Sequence, residues 1–240
     1  MTSTQLDIHR RNDMPRLLDL FCGAGGAGMG YRRAGFEVVG VDIAQRDSYP
    51  FEFHQGDALE FLKEHGHEFD AIHASPPCQR YSALTTGTHS YRENTFPDLL
   101  PPTREALDAT GKPYIIENVV GAPIREDLTL CGLMFGLRVF RHRHFEVSGF
   151  WAPRPEHPSH KGHRVAGWRH GVKYEGDMVA VYGHGGGKGS LAEWKDAMDI
   201  HWTNVRKEIA EAIPPAFTEY IGHALLPQLD RVPCTRGEVQ

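Results

Sequence analysis

The chain has 240 residues, 40% hydrophobic and 24% charged, with a formal net charge of −5. That length suits one large domain or one domain carrying an insertion, and the composition is that of a globular protein, not a disordered one. No apolar run approaches the ~20 residues of a membrane span, and the net acidity does not announce a nucleic-acid partner. Four widely spaced cysteines (22, 78, 131 and 234) form no C-x-x-C pair, which argues against a disulfide framework or a zinc ribbon. Met1–Arg11 is polar and lacks the apolar core of a signal peptide. A cytoplasmic protein that is not secreted is therefore expected.

The first half alternates strand-like and helix-like runs. Arg16–Phe21 reads as a buried strand, followed by a glycine-rich turn and a helix over Met29–Ala34. Phe36–Val41 predicts a second strand, Phe51–His54 a short third and Ala58–His65 a helix. Phe69–Ala74 predicts a fourth strand, Pro102–Ala109 a helix and Pro113–Ile116 a fifth strand. This alternation predicts an α/β fold with a mostly parallel, doubly wound sheet. Ligands bind such sheets outside the carboxyl ends of the strands, where Asp19, Phe21, Asp42, Cys78 and Glu117 fall. Phe150–Gly189 is rich in Pro, His and Gly and reads as a small irregular lobe. Ser190-Leu-Ala-Glu193 is a capping box that starts a helix, with a break expected near Asp199-Ile200. Phe217, Tyr220, Ile221, Ala224 and Leu225 suggest a last helix. The resulting division is a main domain of residues 1–149 and 190–231, an insertion of 150–189, and a disordered tail of 232–240.

Gly23-Ala24-Gly25-Gly26-Ala27-Gly28 satisfies G-x-G-x-x-G after a strand, and Asp42 lies nineteen positions beyond Gly23. An acid so placed suits a ribose diol. The turn serves a nicotinamide or flavin dinucleotide, S-adenosylmethionine, or no ligand at all. Asp57 is either a partner for an adenine amino group or the N-cap of the following helix. Ser75-Pro-Pro-Cys-Gln79 mounts Cys78 directly after a strand, with two prolines stiffening the backbone before the sulfur. That is the placement of a nucleophile.

Asp19-Leu-Phe-Cys-Gly-Ala-Gly-Gly26, Ser75-Pro-Pro-Cys-Gln79 and Glu117-Asn-Val119 occur in that order, and the chain resembles the DNA (cytosine-5) methyltransferases. The resemblance covers roughly residues 16–145 and 194–226. It implies a Rossmann-like methyltransferase fold and transfer of a methyl group from S-adenosylmethionine to C5 of a flipped cytosine. It assigns attack on C6 to Cys78, protonation at N3 to Glu117, and contacts with the flipped nucleotide to Arg141 and Arg143. It places the cofactor against Asp19, Phe21, Gly23, Ala24, Gly25, Gly26, Asp42, Ile43, Asp57, Ala58 and Pro76. Val139 stands where the family has glutamine, and Ala210-Glu211 where it has Gly-Asn before Pro214-Pro215. Arg141 and Arg143 also read as alternate exposed residues of a strand. The resemblance further implies double-stranded DNA as partner and a monomeric enzyme. The same chemistry on a structured RNA is an alternative; a dinucleotide oxidoreductase and a non-catalytic DNA-binding relative are others.

Within the lobe, Arg164, Arg169 and Lys173 interleave with Trp151, Trp168 and Tyr174, a pattern suited to phosphates and bases and also found on solvated loops. Gln79 and Ser82 are further candidate DNA contacts on a long polar loop. His157, His160 and His163 hint at a metal. No acid or cysteine completes the set at nearby spacing, so no metal is expected.

Overall fold

The structure is a computed structural model, and it describes residues 14–78, 80–81, 97–169, 171–183 and 189–229. Leu17, Leu18, Asp19 and Leu20 of strand β1 (Arg16–Leu20) are all fully buried, as expected of a strand covered on both faces. It lies at the centre of the sheet, flanked by β2 (Glu37–Asp42) and β4 (Ala71–Ala74). Strand β3 (Glu52–Gln55) pairs outside β2, and β5 (Tyr114–Asn118) outside β4. Two strands complete the sheet, β6 (Leu128–Leu130) and β7 (Arg143–Ser148). Among the described residues the order is β3-β2-β1-β4-β5-β7-β6, with β7 antiparallel to both neighbours and the others parallel. The expected Rossmann-like, doubly wound architecture is present.

Alternate residues of each strand pack on opposite faces. Leu17 and Ile115 join α1 (Gly26–Ala34) and α6 (Pro215–Leu229) through Tyr31, Phe217 and Ile221. Leu18, Leu20, Ile72 and Ile116 join α2 (Ala58–His65) and α3 (Leu100–Thr110) through Leu62 and Leu107. A third cluster gathers Val139, Val179 and Val181 around Trp194 of α4 (Leu191–Met198) and Ile209 of α5 (Arg206–Glu211). Residues 178–181, which the sequence reading assigned to the lobe, are thus buried with α4. The rest of the lobe is mostly without regular structure, apart from a hairpin of β8 (Gly167–Arg169) and β9 (Val172–Tyr174). Among the described residues, no helix is long and apolar enough to cross a membrane.

Two differences from the expected elements have physical causes, and one expected break gains one. Helix α1 begins at Gly26, not Met29; glycine is a poor helix former, but here it lets another element come close. A Cβ on Gly26 would overlap the Ile213 carbonyl, and one on Gly30 would overlap Pro215 O and Thr218 Oγ1. The helix after Ser190 stops at Asp199, where the break was expected, because that residue adopts the left-handed conformation (φ 55°). The β6–β7 pair was not anticipated, because its stability comes from pairing with β5 and not from local pattern.

The glycine face of α1 is therefore a packing surface for α6, where Thr218 Oγ1 also donates to Ala27 O at 2.8 Å. Gly30→Ala should lower the melting temperature by roughly 3–10 °C, since overpacking costs ~1–3 kcal/mol. The gain in helix propensity, about 1 kcal/mol, opposes it. Thermal unfolding followed by circular dichroism checks this; an unchanged or raised midpoint would refute the packing role.

Candidate active site

Strand register places the site residues side by side. Leu20 pairs with Val41 and with Ala74, and Ala74 pairs with Ile116. The next residue of each strand is Phe21, Asp42, Ser75 and Glu117. These four form a row along the carboxyl edge, across the point where strand order reverses between β1 and β4, the usual crevice for a ligand.

On one side of the row lies the glycine turn. Phe21 and Gly23 adopt positive φ (57° and 52°), and a Cβ on Gly23 would meet nothing within 4 Å, so the turn opens onto free space. Asp42 braces it: Oδ2 accepts from Gly23 N at 3.0 Å, while Oδ1 accepts from Ala44 N at 2.9 Å and Arg46 at 3.1 Å. The acid expected to bind ribose thus already shapes the turn. Ile43 beside it is 70% exposed and half-buried Phe21 stands at the adjacent strand end; both are apolar surfaces suited to a planar base. Ala24, Gly25, Gly26, Ala58 and Pro76 are buried around the turn or behind it. Asp57 is the N-cap of α2, its Oδ1 accepting from Leu59 N and Glu60 N, which is the helix-capping alternative of the sequence reading.

Asp19 is fully buried under the turn. Its Oδ2 accepts from Tyr49 Oη at 3.2 Å, and its Oδ1 has no hydrogen-bond partner. Burial raises its pKa to about 7, against hydrogen bonds from Tyr49 and the Gly28 N–H, with Asp42 adding repulsion. A buried acceptor without a partner is costly and is satisfied by a ligand that brings a donor. The unpartnered Asp19 oxygen, the open face at Gly23 and the apolar flanks Phe21 and Ile43 fit the amino-acid and adenosine parts of S-adenosylmethionine. Trp202 closes the turn from the far end of the chain, donating from Nε1 to Ala24 O at 2.7 Å. No local pattern marks Tyr49 or Trp202, since each reaches the turn from a distant segment.

On the other side stands Cys78, half-buried after the buried Pro76. Asn118 Nδ2 donates to Pro76 O at 3.0 Å and so joins the Ser-Pro-Pro-Cys turn to the Glu-Asn-Val strand end. Below them, His73 bridges Tyr31 Oη (3.0 Å) and Ser75 Oγ (2.9 Å); burial lowers its pKa to about 3, so it is neutral. Burial pushes the Cys78 thiol up and Glu117 adds to the rise, while Arg143 and Arg141 oppose it. Arg143 Nε lies 2.9 Å from Glu117 Oε1.

Arg141 is not the exposed strand residue of the alternative expectation, since it precedes β7. Its backbone is left-handed (φ 34°) and the residue is half-buried. Its guanidinium donates to Val181 O (3.2 Å), Ala210 O (2.7 Å) and Ala212 O. It therefore ties the Glu117–Arg143 pair to the segment before Pro214-Pro215. In the lobe, Arg164 is exposed and Lys173 pairs with Glu175 at 2.9 Å, while Trp151, Trp168 and Tyr174 are exposed. Arg169 lies in β8. Gln79 and Ser82 lie outside the described residues.

Comparisons with known proteins agree with this geometry. The sequence profile of C-5 cytosine-specific DNA methylases matches residues 15–122, the stretch from β1 past β5 that carries the row, the glycine turn and Cys78. Through that stretch the chain is similar to the C-5 cytosine-specific DNA methylases. It is 30% identical over 115 residues to the type II methyltransferase M.FnuDI of Fusobacterium nucleatum (44% of this chain, 33% of that protein). It is 27% identical over 122 residues to the type II methyltransferase M.AgeI of Thalassovita gelatinovora (44% and 28%). Over 127 residues it is 31% identical to a probable DNA (cytosine-5)-methyltransferase of Frog virus 3 (48% and 58%). The matches thus span between about a quarter and somewhat over half of those relatives. The fold resembles the Entamoeba histolytica methyltransferase EhMeth (TM-score 0.60, 12% identity, 90% of this chain and 99% of that one). It also resembles the S. pombe Dnmt2 methyltransferase (0.59, 13%, 90% and 99%).

Asp19 makes the ligand-free protein sensitive to pH. Its folded pKa exceeds the unfolded value of about 3.9, so its contribution is fully present below about pH 4 and lost as pH rises through about 7. Melting temperatures from pH 4.5 to 8 should carry this decline, on the order of 4 kcal/mol in all. Asp19→Asn should flatten it, and an unchanged slope in that variant would show that Asp19 is not its source.

Proposed function

We propose that this chain transfers a methyl group from S-adenosylmethionine to C5 of a cytosine flipped out of double-stranded DNA. The observation that carries the reading is the joining of two separate motifs at one strand edge: Asn118 holds the Pro76 carbonyl while Glu117, the preceding residue, faces the same crevice as Cys78.

C5 of cytosine is a weak nucleophile. Addition of the Cys78 sulfur to C6 breaks the ring's aromaticity, and a proton delivered to N3 by Glu117 takes up the displaced charge. C5 thereby becomes enamine-like. Cys78 is held protonated by burial and by the Glu117 charge. A protonated Glu117 removes the second of these influences, so the state that can deliver a proton to N3 also favours the thiolate. Arg143 holds the Glu117 carboxyl from one oxygen, and the Arg141 and Arg143 charges stabilise the thiolate. S-adenosylmethionine, held by Asp19, the glycine turn, Phe21 and Ile43, supplies the methyl group when bound. Loss of the C5 proton and expulsion of Cys78 restore the ring. C5 is unreachable in a stacked duplex, so the base leaves the helix first. The exposed aromatics and Arg164 of the lobe are the proposed surface for the displaced strand.

Double-stranded DNA containing 5-fluorocytosine tests the mechanism, because fluorine cannot leave as a proton. With S-adenosylmethionine and a methylatable site, the wild type should form a denaturation-stable adduct that Cys78→Ala abolishes while retaining cofactor binding. No adduct on a confirmed target would refute covalent attack. Radiolabelled cofactor supplied with DNA and with structured RNA identifies the polymer; label in RNA alone would move the substrate to RNA.

Asn118→Ala should lower kcat by about 100-fold, since small misplacements of a nucleophile carry such penalties, while S-adenosylmethionine affinity changes by less than about twofold. Steady-state kinetics beside calorimetric binding separates the two effects.

A further inference from the structure

The ground for expecting no metal was the lack of a completing ligand near His157 and His160, and folding supplies two. Cys131, at the end of β6, and His142, just before β7, come together with His157 and His160 of the lobe. His163, the third histidine of the sequence trio, turns away and pairs with Asp177 at 2.5 Å.

Each of the four presents one ligand atom, and these atoms all lie within 4.8 Å of one another. His142 Nε2 is 3.0 Å from His157 Nε2, and Cys131 Sγ is 3.4 Å from His160 Nε2. Zinc holds imidazole nitrogen at about 2.0 Å and thiolate sulfur at about 2.3 Å, so the edges of its tetrahedron run from about 3.3 to about 3.6 Å. The two closest separations, 3.0 and 3.4 Å, lie near those edges, and the remaining ones are within 4.8 Å. Second, the rings are held by packing: His142 and His157 stack at 5.2 Å, and His160 stacks on Phe140 at 4.3 Å.

We propose that Cys131, His142, His157 and His160 form a structural zinc site. Four protein ligands leave no open position, which is the arrangement of a structural and not a catalytic site; one sulfur among three nitrogens suits zinc better than magnesium or calcium. On binding, the Cys131 thiol releases its proton to solvent and its thiolate becomes the ligand. The site would staple the lobe to the β6–β7 turn. His142 lies between Arg141 and Arg143, so the metal would also fix the strand that presents Arg143 to Glu117. The proposal does not depend on the methyl-transfer reading.

The test uses the full chain without a polyhistidine tag. After reconstitution with zinc and removal of excess, elemental analysis should find about one zinc per chain. Cobalt in place of zinc should give the visible absorption of a tetrahedral ion with a near-ultraviolet thiolate band, and Cys131→Ser should remove that band. Because Cys131 is fully buried its substitution can unfold the protein, so His157→Ala, at an exposed position, is the second variant. It should fold and lose at least tenfold in zinc affinity, whereas His163→Ala should keep the wild-type stoichiometry. A wild type that retains less than about a tenth of an equivalent would overturn the proposal and leave only a hydrogen-bonded Cys/His network. Full zinc retention in folded His157→Ala, or equal loss in His163→Ala, would overturn it as well.

Discussion

Strands β1 to β5 all run in one direction, so each must return across a face of the sheet before the next begins. That constraint collects the five outgoing loops at one edge and the returning ones at the other. Everything chemical in the molecule follows from it. Phe21, Asp42, Ser75 and Glu117 are neighbours because four strands end in register, although up to 96 positions separate them in the chain. The reversal of strand order between β1 and β4 separates the loops there, and the two halves of the site face each other across the gap. The glycine turn, with its unpartnered Asp19 oxygen, lies on one side and Cys78 on the other.

Arginine side chains tie later segments to that edge. Arg143 pairs with Glu117, and Arg141 binds carbonyls of both the 181 and the 210–212 segments. Arg104 makes a two-pronged contact with the buried Glu146 of β7 at 3.1 and 2.8 Å. Planar guanidinium groups suit these roles because they satisfy several acceptors in fixed geometry. Removal of one such group leaves buried acceptors or a buried carboxylate uncompensated, which is the costly case.

The architecture was largely legible because it is written in local pattern. Mostly apolar runs mark β1 and β4, and the Ser190–Glu193 capping box forms as expected, with Ser190 Oγ accepting from Glu193 N and Glu193 Oε2 from Ser190 N. Cys78 and Glu117 were legible because proline punctuation and strand ends are local too. What was not legible was tertiary. Arg141 reads as an exposed strand residue until its left-handed backbone turns it inward. Gly26 reads as part of a ligand turn, whereas the missing Cβ there and at Gly30 serves the packing of α1. Cys131 and His142 lie eleven positions apart, with His157 fifteen further on, so no spacing rule joins them.

The glycine face of α1 carries a further consequence, for the order of events during synthesis. That face is completed only by α6, which begins at Pro215, some 180 residues after α1 ends at Ala34, and Trp202 closes the glycine turn from the same late region. At translation speeds of about 5–20 residues per second, α1 waits on the order of ten to forty seconds for its partner. During that interval Tyr31 and Phe36, fully buried in the finished molecule, have no α6 to cover them. The apolar face of α1 therefore stays uncovered in the nascent chain until α6, the last of the described helices, has been made.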